Sequence, residues 1–307
     1  MILCNGAEAL AILNQIFLAL VGIFAVLLNP IPGATEDRMP VVSTRWLAEN
    51  LGSTRLIVLD IRPNSQYKKG HIPGSFSAPL GMWAIPDGGL MLELPPDRTL
   101  RTLVGQYGIH ANSRVIVVGG TETDFARADA TRVAWTLEVA GLKYVSVLNG
   151  GYNKWIRDGR EISTASANPL PFDYDRNPDR SSLAVKSYVL SKIGVNTILD
   201  TRIPEDYFGL RSVHGHIKSA VNLPAPWAFS KDGMLRQEED LNAMVEGVVG
   251  TDKSKEIIVY CEVGGYASTW WFILTRLLGY RNVKLYDGSM QEWLKDPQGP
   301  SSAFSWK

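Results

Sequence analysis

The chain has few of the residues that build metal sites and disulfide frameworks. Its 307 residues include two cysteines, Cys4 and Cys261, four histidines and no Cys-x-x-Cys motif. Two cysteines cannot form a framework of disulfides, and Cys4 lies in an apolar N-terminal segment, so no structural disulfide is expected. The same scarcity of thiols and imidazoles argues against a structural zinc site.

The sequence also lacks an excess of charge of either sign. Its 31 Lys and Arg residues balance 31 Asp and Glu residues, and the pI is about 6.9. This balance argues against a protein that binds nucleic acid through bulk positive charge. A composition that is 45% hydrophobic and 20% charged is ordinary for a globular protein. The length corresponds to about two domains.

No Lys or Arg occurs in residues 1–37, although residues 9–28 form an apolar run of 20 residues. Such a run is long enough for a helix that spans a bilayer, whereas a secretory signal normally begins with basic residues. We therefore predict an N-terminal hydrophobic helix that is an uncleaved membrane anchor or a cleaved signal. Two further hypotheses are a helix buried against the globular part and a start assigned too far upstream of Met39. A membrane-associated or extracytoplasmic protein is expected, and the cytoplasmic face of a membrane stays open.

The rest of the chain contains two copies of one unit. In each copy an apolar run ends in Asp-x-Arg, at 60–62 and 200–202, and Gly-His-Ile follows at 70–72 and 215–217. Two later blocks also recur, with 114–118 matching 256–260 and 148–155 matching 286–293. Chance does not explain four blocks in the same order, so the pattern indicates a tandem duplication.

Short β-branched runs alternate with helical patterns in each unit. Strands are predicted at 57–60, 115–118, 145–148, 198–200, 257–260 and 283–286, and helices at 130–140 and 267–278. This alternation implies an α/β fold with mostly parallel sheets covered by helices on both faces. The predicted organisation is a signal or anchor segment at 1–37, a first domain at 41–163, a Pro-containing linker at 164–180 and a second domain at 181–307.

Cys261 stands where the sequence favours a reactive group. It follows a predicted buried strand, and Gly264 and Gly265 lead from it into a helix. Ligands bind at this position in open α/β sheets, and backbone N–H groups of such a loop can converge on one point. A cradle of this kind is expected to lower the pKa of the thiol and make it a nucleophile. The alternative is an inert buried cysteine. The matching residue of the first copy is Gly119, so that copy has no nucleophile.

With these residues the chain resembles the two-domain rhodanese family, the thiosulfate and 3-mercaptopyruvate sulfurtransferases, over about residues 41–298. The resemblance rests on the repeated Asp-x-Arg and Gly-His-Ile motifs, on Asp287-Gly288-Ser289 with Trp293, and on Cys261 at the position of the catalytic cysteine. It implies two tandem rhodanese-like domains, each a mostly parallel sheet flanked by helices, of which only the second is catalytic.

The resemblance also implies an activity. The reaction is transfer of a sulfane sulfur from thiosulfate or a related anionic donor to a thiol or cyanide, through a persulfide on Cys261. It implies no metal and no organic cofactor. We expect a monomer with a small anionic donor as its partner, and no nucleic acid.

Further site residues follow from the same match. The backbone N–H groups of the loop are expected to bind the substrate; they belong to Glu262, Val263, Gly264, Gly265 and Tyr266. Arg202 matches an arginine that contacts the donor anion, although an ion pair with Asp200 or Glu205 is the alternative. Asp200 and His216 are expected to support strand-end loops, and Asp287 to hydrogen-bond the loop beneath Cys261.

The loop departs from the family pattern at three positions. Glu262 replaces the usual basic residue of thiosulfate enzymes, Val263 lacks the hydroxyl of mercaptopyruvate enzymes, and Tyr266 replaces the usual Thr or Arg. Thiosulfate stays slightly favoured as the donor.

Three other functions compete with enzymatic sulfur transfer. A cysteine phosphatase would need Arg at position 267, which is Ala267, so this class is disfavoured. A non-enzymatic or protein-partnered persulfide relay would use the same Cys261. A purely structural protein would have a cysteine no more reactive than a free thiol.

Overall fold

The computed structural model describes residues 39–211, 214–295 and 299–304. The predictions for residues 1–37, including the hydrophobic helix and the membrane contact of residues 9–28, lie outside the described residues. Among the residues that are described, no helix combines the length and the apolar character needed to cross a bilayer.

The first domain is built on a parallel sheet of five strands in the order β3-β2-β6-β7-β1. The strands are β1 (Val41–Val42), β2 (Leu56–Asp60), β3 (Phe76–Ser77), β6 (Arg114–Val118) and β7 (Val145–Leu148). Strands β4 (Ile85–Asp87) and β5 (Leu90–Glu93) form a separate antiparallel hairpin. The helices are α1 (Thr44–Asn50), α2 (Asn64–Lys69), α3 (Asp97–Gln106), α4 (Asp124–Val139) and α5 (Gly151–Arg157), with a 3₁₀ turn at Leu80–Met82.

The second domain repeats this topology with the strand order β11-β9-β12-β13-β8, again all parallel. Its strands are β8 (Leu183–Ala184), β9 (Thr197–Asp200), β11 (Val221–Asn222), β12 (Glu256–Tyr260) and β13 (Asn282–Tyr286). The short strands β10 (His216–Ile217) and β14 (Ser301–Ser302) pair antiparallel. The helices are α6 (Lys186–Lys192), α7 (Pro204–Tyr207), α8 (Glu238–Val249), α9 (Gly265–Phe272) and α10 (Ser289–Trp293), with a 3₁₀ turn at Ala225–Ala228.

The predicted strands and the predicted duplication agree with the structure, because apolar β-branched runs form the buried centre of each sheet. The helix predicted at 267–278 differs in its second half. There Ile273–Leu277 forms a π-helical segment directly after α9. The segment predicted as a linker, 164–180, contains no helix or strand. It is nevertheless ordered on the first domain, since the hydroxyl of Tyr174 donates to the carbonyl of Ala140 at 2.7 Å.

Helix α4 of the first domain packs directly on α9 of the second. Short polar side chains allow the close approach, because the hydroxyl of Thr131 lies 3.0 Å from that of Ser268 and 3.3 Å from that of Thr269. At the N-terminal ends of these helices the rings of Phe125 and Tyr266 stack with centroids 4.5 Å apart. The helix that follows the Cys261 loop is therefore held from one side by the first domain.

A buried ion pair also joins the two domains near this helix contact. Arg132 on α4 is 1% exposed and pairs with Asp287, which follows β13, and it also donates to the carbonyl of Leu92 on β5. The second oxygen of Asp287 accepts the N–H of Leu94 at 2.7 Å. Both carboxylate oxygens are thus bound by groups of the first domain, so the edge of the second sheet is fixed to that domain.

Removal of this guanidinium is predicted to destabilise the whole protein. Arg132→Met should lower the free energy of unfolding by about 3–5 kcal/mol, because Asp287 would stay buried without its counter-charge. Urea unfolding followed by circular dichroism measures the change. Arg45→Met is the matched control, since Arg45 pairs with Glu49 on the surface, where solvent screens the pair, and its loss should change the free energy of unfolding far less. Equal losses in the two variants would contradict the prediction.

Candidate active site

Cys261 lies at the carboxyl end of β12, the central strand of the second sheet. Its neighbours in the sheet, β9 and β13, end at Asp200 and next to Asp287, so both carboxylates flank the cysteine. Gly264 is the N-cap of α9 and has a φ of +81°, and a Cβ there would lie 2.7 Å from Oδ1 of Asp287. Only glycine fits both the left-handed backbone and this close approach. The loop from 262 to 264 is therefore wound tightly around the thiol.

The thiol of Cys261 is buried and surrounded by backbone donors. Its residue is 1% exposed, and the N–H groups of Val263, Tyr266 and Ala267 hydrogen-bond to it. Burial nevertheless raises the pKa of Cys261 above its ordinary value, since it outweighs those three N–H groups, and Asp200 raises it further. Of the five loop residues expected to form the cradle, Val263 and Tyr266 direct their N–H groups at the thiol, together with Ala267, and the direction of the pKa shift is opposite to the expected one.

The side chain of Ser289 hydrogen-bonds to the backbone of Cys261, a role that the sequence patterns did not indicate. Its hydroxyl accepts the N–H of Cys261 at 3.1 Å and donates to the carbonyl of Tyr286 at 2.9 Å. The N–H of Met290 in turn donates to the carbonyl of Cys261 at 3.1 Å. Ser289 has a φ of +50°, an uncommon conformation for a residue with a Cβ.

The first domain has the same backbone arrangement, but glycines replace the cysteine and the serine. There the N–H of Tyr152 donates to the carbonyl of Gly119 at 2.9 Å, and Gly151 has a φ of +54°. Gly119 and Gly151 thus take the places of Cys261 and Ser289. The replacement of Gly-Gly by Gly-Ser between the two copies was the signal that could have identified Ser289.

Arg202 is buried and already engaged in several contacts. Its Nε and Nη2 bind Asp200, and Nη2 also donates to the carbonyl of Gly215 at 2.7 Å. The remaining nitrogen, Nη1, lies 3.3 Å from Oε2 of Glu262. In the first copy Arg62 binds Asp60 and a glycine carbonyl in the same way. The ion pair with Asp200 is therefore formed, and it is a repeated feature of the fold.

The side chain of His216 contacts Tyr207, the last residue of helix α7, which precedes it along the chain. Its ring stacks on Tyr207 with centroids 3.9 Å apart, and Nδ1 lies 2.8 Å from the carbonyl of that tyrosine. His71 and Tyr67 make the same two contacts in the domain that lacks a nucleophile, at 3.8 and 2.9 Å. These contacts therefore form whether or not the domain carries a nucleophile, and the supporting role of His216 stays a prediction. The sequence patterns did not point to the tyrosines.

Asp200 is tied to the strand that carries the nucleophile. It accepts the hydroxyl of buried Tyr260 at 2.7 Å in addition to its bonds with Arg202. Asp287 was expected to hydrogen-bond the loop beneath Cys261. Its side chain instead binds Arg132 and the N–H of Leu94, while it packs against Gly264.

The remaining loop residues differ in exposure and in their contacts with the first domain. The side chain of Glu262 is half exposed, and Val263 is buried. A Cβ on Gly265 would lie 3.8 Å from Leu92 of the first domain. Tyr266 stacks on Phe125, and its burial, with Asp124 nearby, raises its pKa to about 12. The first domain therefore packs against one side of the loop.

Among the residues described, no group of three or more His, Cys, Asp and Glu side chains is placed to hold a metal ion. The absence of a cofactor stays a prediction.

Comparison with known sequences places both halves of the chain in one group. The model of the Rhodanese-like domain matches residues 43–158 and again 186–296. A putative thiosulfate sulfurtransferase of Saccharopolyspora erythraea is 32% identical over 266 residues, which are 82% of this chain and 92% of that protein. The sulfur carrier protein TtuD of Thermus thermophilus is 32% identical over 275 residues, with 82% and 93% covered.

Solved structures share the fold at lower identity. The anaerobic ergothioneine biosynthesis enzyme of Chlorobium limicola, in complex with trimethyl histidine, superposes with a TM-score of 0.74 at 21% identity. The match covers 86% of this chain and 70% of that one. YnjE superposes with a TM-score of 0.74 at 21% identity, covering 87% and 69%. At this identity the likeness concerns the fold alone.

The raised pKa of Cys261 predicts a thiol that alkylates more slowly than a free thiol at neutral pH, so persulfide formation, and not the rate of alkylation, separates a catalytic cysteine from a structural one. The rate of iodoacetamide alkylation should rise with pH to a midpoint above that of free cysteine, because only the thiolate reacts. A Cys4→Ser background leaves Cys261 as the single thiol, and mass spectrometry follows the modification. N-acetylcysteine under the same conditions is the control. A midpoint below that of the control would mean that the backbone donors outweigh burial.

Proposed function

We propose that the chain, which belongs to the rhodanese family, transfers sulfane sulfur as a persulfide on Cys261. The curated relatives support a sulfurtransferase in general terms, since several are named putative thiosulfate sulfurtransferases. The observation that carries the proposal is the contrast between the domains. The loop with converging N–H groups contains a thiol in the second domain, whereas the equivalent backbone of the first domain contains Gly119.

The proposed reaction has two steps that use the same sulfur atom of Cys261. In the first, the thiolate attacks the outer sulfur of thiosulfate, an S–S bond to Cys261 forms, and sulfite leaves with the electron pair of the broken bond. In the second, cyanide or an acceptor thiolate attacks the outer sulfur of the persulfide, and the Cys261 thiolate is released. The N–H groups of Val263, Tyr266 and Ala267 stabilise the negative charge in both states.

The geometry of Arg202 favours a second candidate, a persulfide relay that takes sulfur from a protein partner. Arg202 was predicted to anchor the donor anion. Its guanidinium, however, is already bound by Asp200 and by the carbonyl of Gly215, and the carboxylate of Glu262 contacts the remaining nitrogen, Nη1. An anionic donor would have to displace the Glu262 carboxylate from this guanidinium. Weak recognition of small anionic donors is what a relay protein would exhibit.

The first test is thiocyanate production from cyanide with thiosulfate and with 3-mercaptopyruvate. Turnover is expected with at least one donor, with thiosulfate slightly favoured, and it should vanish in Cys261→Ser because the nucleophile is lost. Equal turnover in the wild type and Cys261→Ser would contradict the proposal. No turnover with either donor, in folded protein whose Cys261 accepts sulfur from polysulfide, would favour the relay.

The loop carboxylate provides a second prediction. Glu262→Arg should raise kcat/KM for thiosulfate by about fivefold or more, since a repulsive charge is replaced by an attractive one and a single charge pair at about 4 Å in water is worth about 1 kcal/mol. Glu262→Gln is the matched variant, which removes the repulsion alone and should give a smaller rise. If both variants keep the wild-type value, Glu262 does not act on the donor.

A further inference from the structure

The hairpin of β4 and β5 reaches from the first domain onto α10 of the second. The side-chain amide of Gln291 on α10 pairs in both directions with the backbone of Met91 on β5. Its Oε1 accepts the N–H of Met91 at 2.8 Å, and its Nε2 donates to the carbonyl of Met91 at 2.9 Å. Nε2 also lies 3.2 Å from Oε1 of Glu93. At the tip of the hairpin, Nζ of Lys295 donates to the carbonyls of residues 88–89 at 3.2 and 3.1 Å. The hairpin is therefore joined to α10 and to the residues that follow it.

The backbone of α10 in turn holds the loop that surrounds the thiol. The N–H of Gln291 donates to the carbonyl of Glu262 at 3.0 Å. The peptide bond between Glu262 and Val263 is planar and trans, so its C=O and N–H groups point in opposite directions. The bond from Gln291 therefore directs the N–H of Val263 away from α10 and toward Sγ of Cys261, to which it hydrogen-bonds.

The opposite side of the domain junction repeats part of this arrangement. There a segment of the second domain lies over the first, and the N–H of Leu235 donates to Oδ1 of Asn149 at 2.9 Å. This bond matches the one from Leu94 to Asp287, since Asn149 and Asp287 occupy the same position in the two copies. Each domain thus extends a segment over the loop of the other.

The pairing of Gln291 with the hairpin is particular to the side that contains the nucleophile. The matching residue of the first copy is Asn153. Its side chain accepts the N–H of Thr121 at 3.0 Å and lies 3.3 Å from Oε1 of Glu122, and both of these residues belong to its own domain. The domain without a nucleophile uses this position to hold its own loop, whereas the catalytic domain uses it to bind the other domain.

We propose that Gln291 is a positioning residue through which the hairpin of the first domain directs the N–H of Val263 at the sulfur of Cys261. The inference rests on the proposed persulfide chemistry and adds a residue to it. Gln291 acts through the backbone of the loop and not by contact with a substrate. A well-directed N–H stabilises the negative charge on sulfur in the thiolate and in the persulfide.

The test variant is Gln291→Met, because methionine has nearly the same length and keeps the backbone N–H but cannot pair with Met91. The thiolate fraction of Cys261 should fall at least about twofold, roughly the worth of one weakened hydrogen bond. The midpoint of iodoacetamide alkylation should therefore rise by about 0.3 pH units or more. The measurement uses the full-length protein in a Cys4→Ser background, with mass spectrometry as the readout.

The matched control is Asn153→Leu, which removes the corresponding amide from the first domain and should leave the midpoint unchanged. Burial and Asp200, which raise the pKa of Cys261, are the same in both variants. The charged groups beside the loop are also retained in both; they are Asp200, Arg202, Glu262, Asp287 and Arg132. Persulfide formation from polysulfide at pH 7 should be slower in Gln291→Met than in the control, since only the thiolate attacks.

An unchanged midpoint in Gln291→Met would overturn the inference, even if the variant unfolds at a lower temperature, because Gln291 would then only hold the domains together. An equal shift in Asn153→Leu would overturn it as well. Failure of wild-type Cys261 to accept sulfur from polysulfide would instead overturn the proposed function. Alkylation needs no sulfur transfer, so the two failures are distinguishable.

Discussion

The contact between α4 and α9 is the constraint on which the site depends. Helix α9 supplies two of the three N–H groups directed at the thiol, from Tyr266 and Ala267. Its position is fixed by the hydroxyl contacts of Thr131 with Ser268 and Thr269 across the domain junction. A domain without a nucleophile thus determines the geometry of the nucleophile in the other domain. The tandem arrangement is part of the site and not only a record of duplication.

The fold was predictable because the apolar runs, the helical patterns and their repetition all indicated the same arrangement of strands and helices. Apolar runs such as Val115–Val118 and Ile257–Tyr260 are buried strands, and their repetition predicts two similar parallel sheets. The position of Cys261 was predictable for the same reason, since it follows a buried strand and precedes glycines. Local patterns of this kind depend only on neighbours in the chain.

Contacts between distant residues were not predictable in the same way. The pairing of Arg132 with Asp287 joins residues 155 positions apart, and no pattern in the sequence marks it. The expected sign of the pKa shift at Cys261 was wrong because the burial of the thiol is a property of the folded structure and has no local sequence pattern. The role of Ser289 was missed because its hydrogen bond to Cys261 joins residues 28 positions apart, although the change from Gly151 to Ser289 between the copies marks the position. The π-helical segment after α9 likewise has no simple sequence signal.

The burial of Cys261 also bears on its redox chemistry. A disulfide needs two cysteine Cα atoms within about 7 Å and room for the second chain. A thiol that is 1% exposed, with Leu92 and Phe125 of the other domain beside its loop, offers little such room to a folded partner. Mixed disulfides with large proteins are therefore disfavoured sterically, and the same enclosure argues against a relay whose partner is a large folded protein, whereas a single sulfur atom adds little bulk. The enclosure discriminates between oxidation by another protein and oxidation by a small sulfur compound.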